Sequence, residues 1–326
     1  MMNDSTLLTE SMAEPSTLAK AIISIVGLAL IVTILGGNGL VLLLLIRFRR
    51  LRTTTNYFIL GMASADFTVG IVLIGTIIVR FNPQFLTSPV HCLVYWCSAI
   101  APSITSCWAL FFANFDRYLK LAFPLRYHMI MSPKVAMSIV VCIYVYTTLA
   151  IYVFPAITGI NTLNNDFNLT CWYKLSRVLS PNYMQFLIYG NVMLPIISIC
   201  FLYGMVVRLV VDKLRHENIK LRLRRELRSI KTLAILLGLC VFGWFPLCSV
   251  LLIEIYNPSY QAGFGLRTIV GYCMFLNSAL NPIVYSLRSA RFRQCARKLI
   301  CRESLADEYY VMLRTIRRSD NTVYPQ

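Results

Sequence analysis

Charged residues are scarce in this sequence, and they are almost absent from its long apolar stretches. Charged side chains make up only 14% of the 326 residues, whereas 57% of the residues are hydrophobic. A soluble protein built from long helices needs a charged or polar face on each helix, and this composition leaves too few charges to supply one. The composition therefore argues against a soluble fold and predicts a membrane protein.

Residues for enzyme chemistry are also few. The three histidines, His91, His128 and His216, lie in predicted loops or at helix ends. The sequence contains no His-Glu-x-x-His zinc motif, no phosphate-binding glycine loop and no candidate nucleophile and base. We therefore expect no enzymatic activity. A channel or transporter, which would carry several intramembrane charges or a repeat between its halves, is the less favoured alternative.

Seven stretches of 20 to 26 residues contain no basic residue and only one acidic residue in total. Each is close to the ~20 helical residues that cross the hydrocarbon core of a bilayer. A helix satisfies its own backbone hydrogen bonds, as lipid surroundings require. The predicted fold is an all-α membrane protein with a seven-transmembrane helix bundle. The stretches are Ala21–Ile46, Tyr57–Val79, Leu93–Phe115, Val135–Thr158, Tyr183–Val207, Thr232–Ile253 and Thr268–Leu287.

Lysine and arginine are distributed unevenly between the segments that join these stretches. Five basic residues lie before the first stretch and after the second, fourth and sixth, whereas the other segments hold the remaining 26. Basic residues concentrate on the cytoplasmic side. We therefore expect an extracellular N-terminus at residues 1–20, a seven-helix membrane domain at 21–302 and a cytosolic tail at 303–326. The net charge of +17 then faces anionic lipid headgroups, and no nucleic acid is needed to explain it.

Two further kinds of residue agree with this orientation. Asn3 and Asn168 begin glycosylation sequons, and both lie on the predicted outer side. Cys92 and Cys171 face the same oxidising side, where a disulfide would attach the loop after the fourth helix to the third helix. We therefore expect these four residues to be extracellular.

The segment Ser289–Cys301 follows the seventh stretch and has the pattern of an amphipathic helix. Apolar residues such as Phe292 and Cys295 share one face, and cations occupy the opposite face. This pattern predicts a short amphipathic membrane-surface helix after helix seven. Cys295 and Cys301 could each carry palmitate, or both could remain reduced thiols.

Asp66 is the single formal charge within the seven stretches. A charge at bilayer depth costs roughly 3 kcal/mol even on insertion scales that give low values. A chain that keeps such a residue is expected to use it, so Asp66 is a candidate functional residue.

Short motifs mark several of the helices. They are Gly37-Asn38, Asp116-Arg117-Tyr118, Pro195 with Tyr203, Trp244-Phe245-Pro246 and Asn281-Pro282-Ile283-Val284-Tyr285. Together they resemble the motifs of rhodopsin-like (class A) G-protein-coupled receptors over about residues 20 to 302. The resemblance implies a plasma-membrane receptor, with residues 21–302 as its receptor domain, that binds an extracellular small-molecule ligand and activates heterotrimeric G proteins, with arrestin and membrane lipids as further partners. An orphan receptor with high basal signalling is an alternative within the class.

A conformational switch is implied by the same motifs. Pro246 and Pro282 each remove a helical hydrogen bond, so helices six and seven can kink there. Trp244 lies two residues before the first kink, where contact with a ligand would become helix movement. The residues implied for the switch are Asp116, Arg117, Tyr118, Tyr203, Glu226, Trp244, Pro246, Asn281, Pro282 and Tyr285.

Arg117 has two candidate partners, the adjacent Asp116 and the more distant Glu226. Glu226 precedes Trp244 by 18 residues, about 27 Å of helix, and so belongs at the cytosolic face near Arg117. In the receptors that this chain resembles, such a pair tethers helices three and six in the inactive state. The alternative is a solvated pair that contributes ~0–1 kcal/mol.

Asp66 resembles the carboxylate of the family's sodium site. Ser106, Asn277, Ser278 and Asn281 match the polar positions around that ion. The alternative is a protonated or water-bonded carboxyl group without an ion. We expect no cofactor apart from this sodium ion, which would act as an allosteric modulator.

The ligand positions depart from those of the receptor groups that the chain otherwise resembles. Several motifs look like those of adenosine receptors, with amine-receptor and melanocortin-receptor features. The amine-binding aspartate, however, is replaced by Ala99, and the adenosine-receptor asparagine of helix six aligns with Leu251. The predicted pocket is mostly apolar, with Glu254 and Arg267 near its rim. It is lined by Ala99, Ile100, Ser103, Trp172, Tyr173, Leu187, Asn191, Leu247, Leu251, Gly271 and Met274.

Overall fold

The computed structural model describes residues 16–81, 89–158, 179–216, 220–257, 259–260 and 262–300. Within these ranges the chain forms seven long helices, α1 to α7, a shorter helix, α8, and two helical turns in the connections, Arg49–Leu51 and Tyr127–Ile130. The continuous helices are α1 (Thr17–Arg47), α2 (Thr54–Phe81), α3 (Pro89–Ala122), α6 (Lys220–Tyr256), α7 (Phe264–Arg288) and α8 (Ala290–Ile300). Two helices contain π-helical segments: α4 consists of Pro133–Thr148, Leu149–Val153 and Phe154–Thr158, and α5 of Pro181–Gln185, Phe186–Met193 and Leu194–His216.

Each predicted transmembrane stretch lies inside one of these helices, and the helices extend beyond the stretches. The largest extension is in α6, which begins at Lys220, whereas its apolar stretch begins at Thr232. A helix satisfies its own backbone hydrogen bonds, so it can continue into the polar headgroup region with charged side chains. Helices α1 to α6 are long and apolar enough to cross a membrane. Helix α7 is less apolar because it contains Asn277 and Asn281, which face other helices.

The bundle is arranged around α3. This helix contacts α2, α4, α5 and α6, whereas α1 and α7 pack against each other and against α2. Side chains with little or no exposure, including Ile34, Leu73 and Ile104, fill the space between the helices. Large exposed apolar side chains such as Ile25 and Phe201 cover the outside, as expected for a surface that faces lipid.

The π-helical segments of α4 and α5 precede Pro155 and Pro195, residues that cannot complete a regular helical hydrogen-bond pattern. In α4, the carbonyl of Ile151 accepts a 2.8 Å hydrogen bond from the thiol of Cys97. The hydroxyl of Tyr183 donates a 3.0 Å hydrogen bond to the carbonyl of Ala150. Side chains of α3 and α5 therefore bind the carbonyls of this irregular segment.

Tyr144 and Tyr146 anchor α4 to its neighbours. The Tyr144 hydroxyl lies 2.7 Å from the hydroxyl of Ser64 and donates a 3.2 Å hydrogen bond to the carbonyl of Gly61 on α2. The Tyr146 hydroxyl donates a 2.7 Å hydrogen bond to the side chain of Asn191 on α5. Two tyrosines thus connect α4 to its neighbours through hydrogen bonds.

Helix α8 has the predicted amphipathic character. Phe292 and Cys295 are buried against the main core, whereas Arg291, Arg293 and Arg297 are exposed. The apolar face of this short helix therefore packs on the bundle and its cations remain available to solvent or lipid headgroups.

Candidate functional site

A cavity lies within the half of the bundle that contains Glu254, which we call the Glu254 end. Helices α2, α3, α5, α6 and α7 enclose a volume of about 180 Å³. This is slightly more than the ~150 Å³ of an apolar cavity that holds one benzene molecule, so the enclosed part has room for a small molecule. Seven residues of the predicted pocket line it: Ala99, Ile100, Leu187, Leu247, Leu251, Gly271 and Met274.

Two predicted pocket residues do not line the cavity. Ser103 is buried, and its hydroxyl donates a 3.0 Å hydrogen bond to the Ala99 carbonyl of its own helix. Asn191 is fully buried; its side-chain oxygen accepts from Tyr146 and its amide group donates to the Phe186 carbonyl at 3.4 Å. Neither side chain forms part of the cavity wall, because both find partners within the helices. Trp172 and Tyr173 lie outside the described residues.

Besides the seven predicted lining residues, the cavity wall contains others, two of which, Glu254 and Arg267, were expected near its rim. Tyr95 and Trp96 precede Ala99 and Ile100 by one helical turn, so the spacing of three to four residues along α3 would have indicated them. Trp244 and Phe275 form part of the wall deeper in the bundle, and both are buried. Additional lining residues are Thr76, Ile104, Met184, Ile188, Val192, Cys248, Val250, Glu254, Phe264, Arg267, Thr268, Val270 and Tyr272.

Glu254 and Arg267 form an ion pair in the cavity wall. One terminal nitrogen of Arg267 lies 2.6 Å from Oε1 of Glu254, and the Glu254 side chain is only 3% exposed. Oε1 also accepts a 3.1 Å hydrogen bond from the backbone N–H of Ala262, whose carbonyl accepts from Nε of Arg267 at 3.0 Å. Burial lowers the pKa of Arg267, whereas the negative charge of Glu254 opposes that shift. The pair thus connects the ends of α6 and α7 with the loop between them.

Below the cavity, α3 and α6 meet through two thiols. Trp244 lines the cavity two residues before Pro246. Four residues before Trp244, the sulfur of Cys240 lies 3.8 Å from that of Cys107 on α3. A displacement of Trp244 would therefore act on the part of α6 that contacts the central helix.

Asp66 lies at the centre of a polar cluster in the middle of the bundle. Its carboxylate is fully buried and accepts 2.8 Å hydrogen bonds from the Ser278 hydroxyl and the Asn281 amide. Ser106 is buried beside this carboxylate. Asn277 contributes no hydrogen bond to Asp66 in the described part of the chain, because its side chain lies against Gly243 of α6. Four of the five predicted sodium-site residues thus come together.

This cluster fits a small hard cation. Among the described residues Asp66 has no basic partner, so its charge is balanced only by neutral hydrogen-bond donors. An isolated buried carboxylate is costly unless a cation or a proton neutralises it. The carboxylate and the hydroxyls of Ser106 and Ser278 are oxygen ligands, which hard cations prefer. The described residues contain no group of three or more His, Cys, Asp or Glu side chains that could hold another metal ion.

The opposite half of the bundle, which we call the Arg117 end, contains the predicted switch residues Asp116 and Arg117. Asp116 is fully buried and accepts hydrogen bonds from Thr55 of α2 and from Tyr127 of the loop after α3. Within the described part of the chain, Asp116 makes no ion pair with Arg117. Arg117 is half-buried. The side chain of Glu226, the other candidate partner, is not described, although its backbone belongs to α6.

Four further switch residues make contacts between helices. Tyr118 and Tyr203 pack against the same small apolar cluster, formed by residues of α3 and α5. The hydroxyl of Tyr285 is buried 3.3 Å from the sulfur of Met62 on α2. Pro282 is buried and packs closely against Gly37 of α1. These contacts connect α7 with α1 and α2, and α3 with α5.

Of the residues predicted to be modified, two lie in the described part of the chain. Cys92 is disulfide-bonded, and its predicted partner Cys171 lies outside the described residues. Cys295 is buried against the bundle, and its palmitoylation stays a prediction. Cys301 lies outside the described residues, as do both predicted glycosylation sites, Asn3 and Asn168.

Comparison with known proteins matches this sequence to one family. The sequence model of the 7 transmembrane receptor (rhodopsin family) matches residues 37–285, which is well over half of the chain. The chain belongs to the rhodopsin family of seven-transmembrane receptors. Because members of this family are receptors, the chain is a receptor and not an enzyme, and the channel or transporter alternative is not supported.

Individual members of the family are similar along most of their length. The histamine H2 receptor of Cavia porcellus is 28% identical over 299 residues, which cover 87% of this chain and 81% of that receptor. The adenosine receptor A2b of Gallus gallus is 28% identical over 305 residues, covering 84% of this chain and 87% of that receptor. The adenosine receptor A2a of Canis lupus familiaris is 26% identical over 309 residues, which cover 87% of this chain and 73% of that receptor. These similarities confirm the predicted resemblance to adenosine and amine receptors.

Proposed function

We propose that this chain is a plasma-membrane receptor that binds an extracellular small molecule in the cavity and activates a heterotrimeric G protein at the Arg117 end. Residues 1–20 are then outside the cell, residues 21–302 form the receptor domain, and residues 303–326 form a cytosolic tail. The uneven distribution of lysine and arginine supports this orientation. It places the Glu254 end outside and the Arg117 end in the cytosol.

The observation that carries this proposal is the position of Trp244. Trp244 lines the cavity, and it belongs to the single helix α6 that runs from Tyr256 to Lys220 past both Pro246 and Glu226. A small molecule that fits better when α6 is displaced would shift the population toward that state. Because the same helix reaches the cytosolic face, the shift would change the surface offered to a G protein.

The lining of the cavity supports a ligand that is neither a monoamine nor adenosine. The relatives named above are receptors for histamine, an amine, and for adenosine, a nucleoside. This cavity presents Ala99 where the amine-binding aspartate is expected and Leu251 where the adenosine-receptor asparagine is expected. A monoamine would therefore lack its carboxylate partner, and adenosine would lack its amide partner. A different small molecule is the natural ligand.

A sodium ion at Asp66 is part of the proposal. Asp66, Ser106, Ser278 and Asn281 would hold it, with Asp66 supplying the negative charge. The bound ion would neutralise the buried carboxylate and add to the hydrogen bonds that join α2 to α7. It would therefore favour the conformation in which these helices are close together.

The same orientation in the membrane implies further binding partners on the cytosolic side. Arrestin would share the cytosolic face with the G protein. Anionic lipids would contact the exposed cations of α8. Cys295 and Cys301 stay predicted sites for palmitate. The predicted bond of Cys92 to Cys171 would hold the loop after α4 over the cavity.

A ligand screen in cells tests the binding part of this proposal. Cells expressing the receptor would be screened with a small-molecule library while cyclic AMP and calcium are recorded. Gly271→Leu tests each active compound, because Gly271 lines the cavity and has open space where a side chain would begin. Gly265→Leu is the matched control, since Gly265 is on the same helix, has similar space and does not line the cavity.

The expected result is an active compound whose potency falls at least tenfold in Gly271→Leu and stays unchanged in Gly265→Leu at equal surface expression. Equal potency in both variants would show that the compound binds elsewhere. A signal in the absence of any compound would favour the alternative of an orphan receptor with high basal signalling.

A further inference from the structure

The carboxylate of Glu254 has two oxygens with different surroundings. Oε1 accepts hydrogen bonds from Arg267 at 2.6 Å and from the Ala262 backbone at 3.1 Å. Oε2 is buried and has no hydrogen-bond partner within the part of the chain that the structure describes. Glu254 itself lines the cavity. One lone-pair site of a buried carboxylate in the cavity wall is therefore unused.

An unused site of this kind is costly to a protein. A buried acceptor without a donor loses its hydration and gains nothing in exchange, and the cost is larger for a charged group. The ion pair with Arg267 needs only Oε1, so pairing alone does not account for Oε2. A donor supplied from the cavity would complete the coordination of the carboxylate.

The rest of the cavity restricts what that donor can belong to. The wall near Glu254 contains apolar side chains such as Leu247, Leu251 and Val250. Its two charged members, Glu254 and Arg267, neutralise each other. A ligand with a positive charge would be attracted by Glu254 and repelled by the guanidinium beside it, whereas a neutral donor would meet no opposing charge.

We propose that the cavity binds a neutral, largely apolar small molecule whose N–H or O–H group donates a hydrogen bond to Oε2 of Glu254. The inference rests on the proposed function, since it names the ligand class of the same cavity. The donor lies at the Glu254 end, and the apolar body of the ligand extends toward Trp244. Glu254 is thus a specificity-determining residue as well as one half of a loop contact.

A purely structural role for Glu254 is the competing explanation. In that case the pair only holds the loop between α6 and α7, and ligands with and without a donor bind equally. A substitution that keeps the loop contact and changes only Oε2 separates the two explanations.

Glu254→Gln is such a substitution. The oxygen of the new amide must face Arg267 and the Ala262 N–H, because an NH2 group in that position would oppose two donors. The NH2 group therefore takes the place of Oε2 and turns an acceptor into a donor. Thr268→Val is the matched control, because it removes another polar group from the same cavity wall and leaves Glu254 intact.

Three naphthalene compounds of similar shape serve as probes. 2-Naphthol is neutral and has a donor, 2-methoxynaphthalene is neutral and has only an acceptor, and 2-naphthylmethylamine is a cation. Their dissociation constants would be measured by ligand-observed NMR with the full-length receptor in lipid nanodiscs. Unfolding temperatures of the variants would show whether the fold is kept.

For the unsubstituted receptor and for Thr268→Val, 2-naphthol should bind about tenfold more tightly than 2-methoxynaphthalene, as expected for a hydrogen bond to a charged acceptor. In Glu254→Gln this preference should disappear, because the NH2 group can donate to either compound. 2-Naphthylmethylamine should bind no more tightly than 2-naphthol.

Three results would overturn the inference: equal binding of the two neutral compounds by the unsubstituted receptor, preferred binding of the cation, or no saturable binding of 2-naphthol at millimolar concentration. Nucleotide exchange on a G protein is measured with the same nanodiscs. A receptor that stimulates exchange but lacks the donor preference refutes this ligand class alone, whereas one that never stimulates exchange refutes the proposed function.

Discussion

The phenol of Tyr127 donates a 2.7 Å hydrogen bond to Oδ1 of Asp116, the first residue of the Asp-Arg-Tyr motif. Thr55 of α2 donates to the other oxygen of the same carboxylate. Both oxygens of Asp116 are therefore used by neutral donors. This arrangement connects α2, α3 and the loop after α3, and it leaves Arg117 free of an ion pair with its neighbour.

Removal of the Tyr127 hydroxyl should destabilise this end of the bundle. Tyr127→Phe keeps the ring and leaves one oxygen of a fully buried carboxylate without its donor, at a cost of about 1–3 kcal/mol. We expect a lower unfolding temperature for the purified receptor. Tyr118→Phe is the control, because the Tyr118 ring packs against Phe123 but its hydroxyl bonds to none of the described residues. Equal effects of the two substitutions would contradict the importance of the Asp116 contact.

The shifted pKa of Tyr127 should make the stability of the receptor depend on pH. Burial, and secondly the bond to Asp116, raises the pKa of Tyr127 to about 12 from the usual 10.0. Because the folded protein then retains a proton that the unfolded chain loses, this contribution to stability is complete below pH 10 and is lost as the pH rises toward 12. Unfolding temperatures measured across this pH range should fall less steeply for Tyr127→Phe. Parallel curves for both proteins would rule out this titration.

Close packing of α1 on α7 makes two adjacent glycines behave differently. A Cβ atom at Gly37 would lie 3.0 Å from the ring of Pro282, whereas a Cβ atom at Gly36 would meet nothing within 4 Å. Gly37→Ala should therefore destabilise the receptor by about 1–3 kcal/mol through overpacking. Gly36→Ala should be neutral or slightly stabilising. The test is the unfolding temperature of each variant compared with that of the unsubstituted receptor. An unchanged unfolding temperature for Gly37→Ala would disprove the close contact.

Sodium should stabilise the receptor through Asp66. We expect a higher unfolding temperature in sodium chloride than in choline chloride at the same ionic strength. Asp66→Asn removes the charge that holds the ion, so the difference between the two salts should vanish. Should the difference persist in Asp66→Asn, sodium would be acting elsewhere. Should the unsubstituted receptor show no difference, the alternative of a protonated or water-bonded Asp66 would be favoured.

The seven-helix architecture could be predicted because the uncharged stretches have membrane-spanning length. The cluster around Asp66 could also be predicted, since its members match motif positions on α2, α3 and α7. The direction in which the Asn191 side chain points could not be predicted from the sequence. The π-helical segment Phe186–Met193 changes the rotation of α5, and Asn191 faces Tyr146 instead of the cavity.

The contact between Glu254 and Arg267 could be predicted only in part from the sequence. Both residues were expected near the rim of the pocket, but their approach to 2.6 Å depends on the path of the loop between α6 and α7. The backbone of Ala262 bonds to both side chains and fixes that path. A loop conformation of this kind depends on tertiary contacts, and no local sequence motif predicts it.

We propose that α6 is held inward in the inactive receptor and moves to admit a G protein. Glu226→Gln removes the charge of the proposed partner of Arg117 and keeps its size. A tether of ~1 kcal/mol would raise the active population about fivefold when lost. Arg117→Ala also opens the tether, but it removes the arginine that is expected to contact the G protein, so coupling should fall.

The decisive measurement is nucleotide exchange on a purified heterotrimeric G protein, without ligand, at equal amounts of receptor in nanodiscs. We expect Glu226→Gln to stimulate exchange several-fold more than the unsubstituted receptor, and Arg117→Ala to stimulate it less. Equal exchange by the unsubstituted receptor and Glu226→Gln would contradict the proposed tether, because Glu226 would then be one more solvated charge on the cytosolic face.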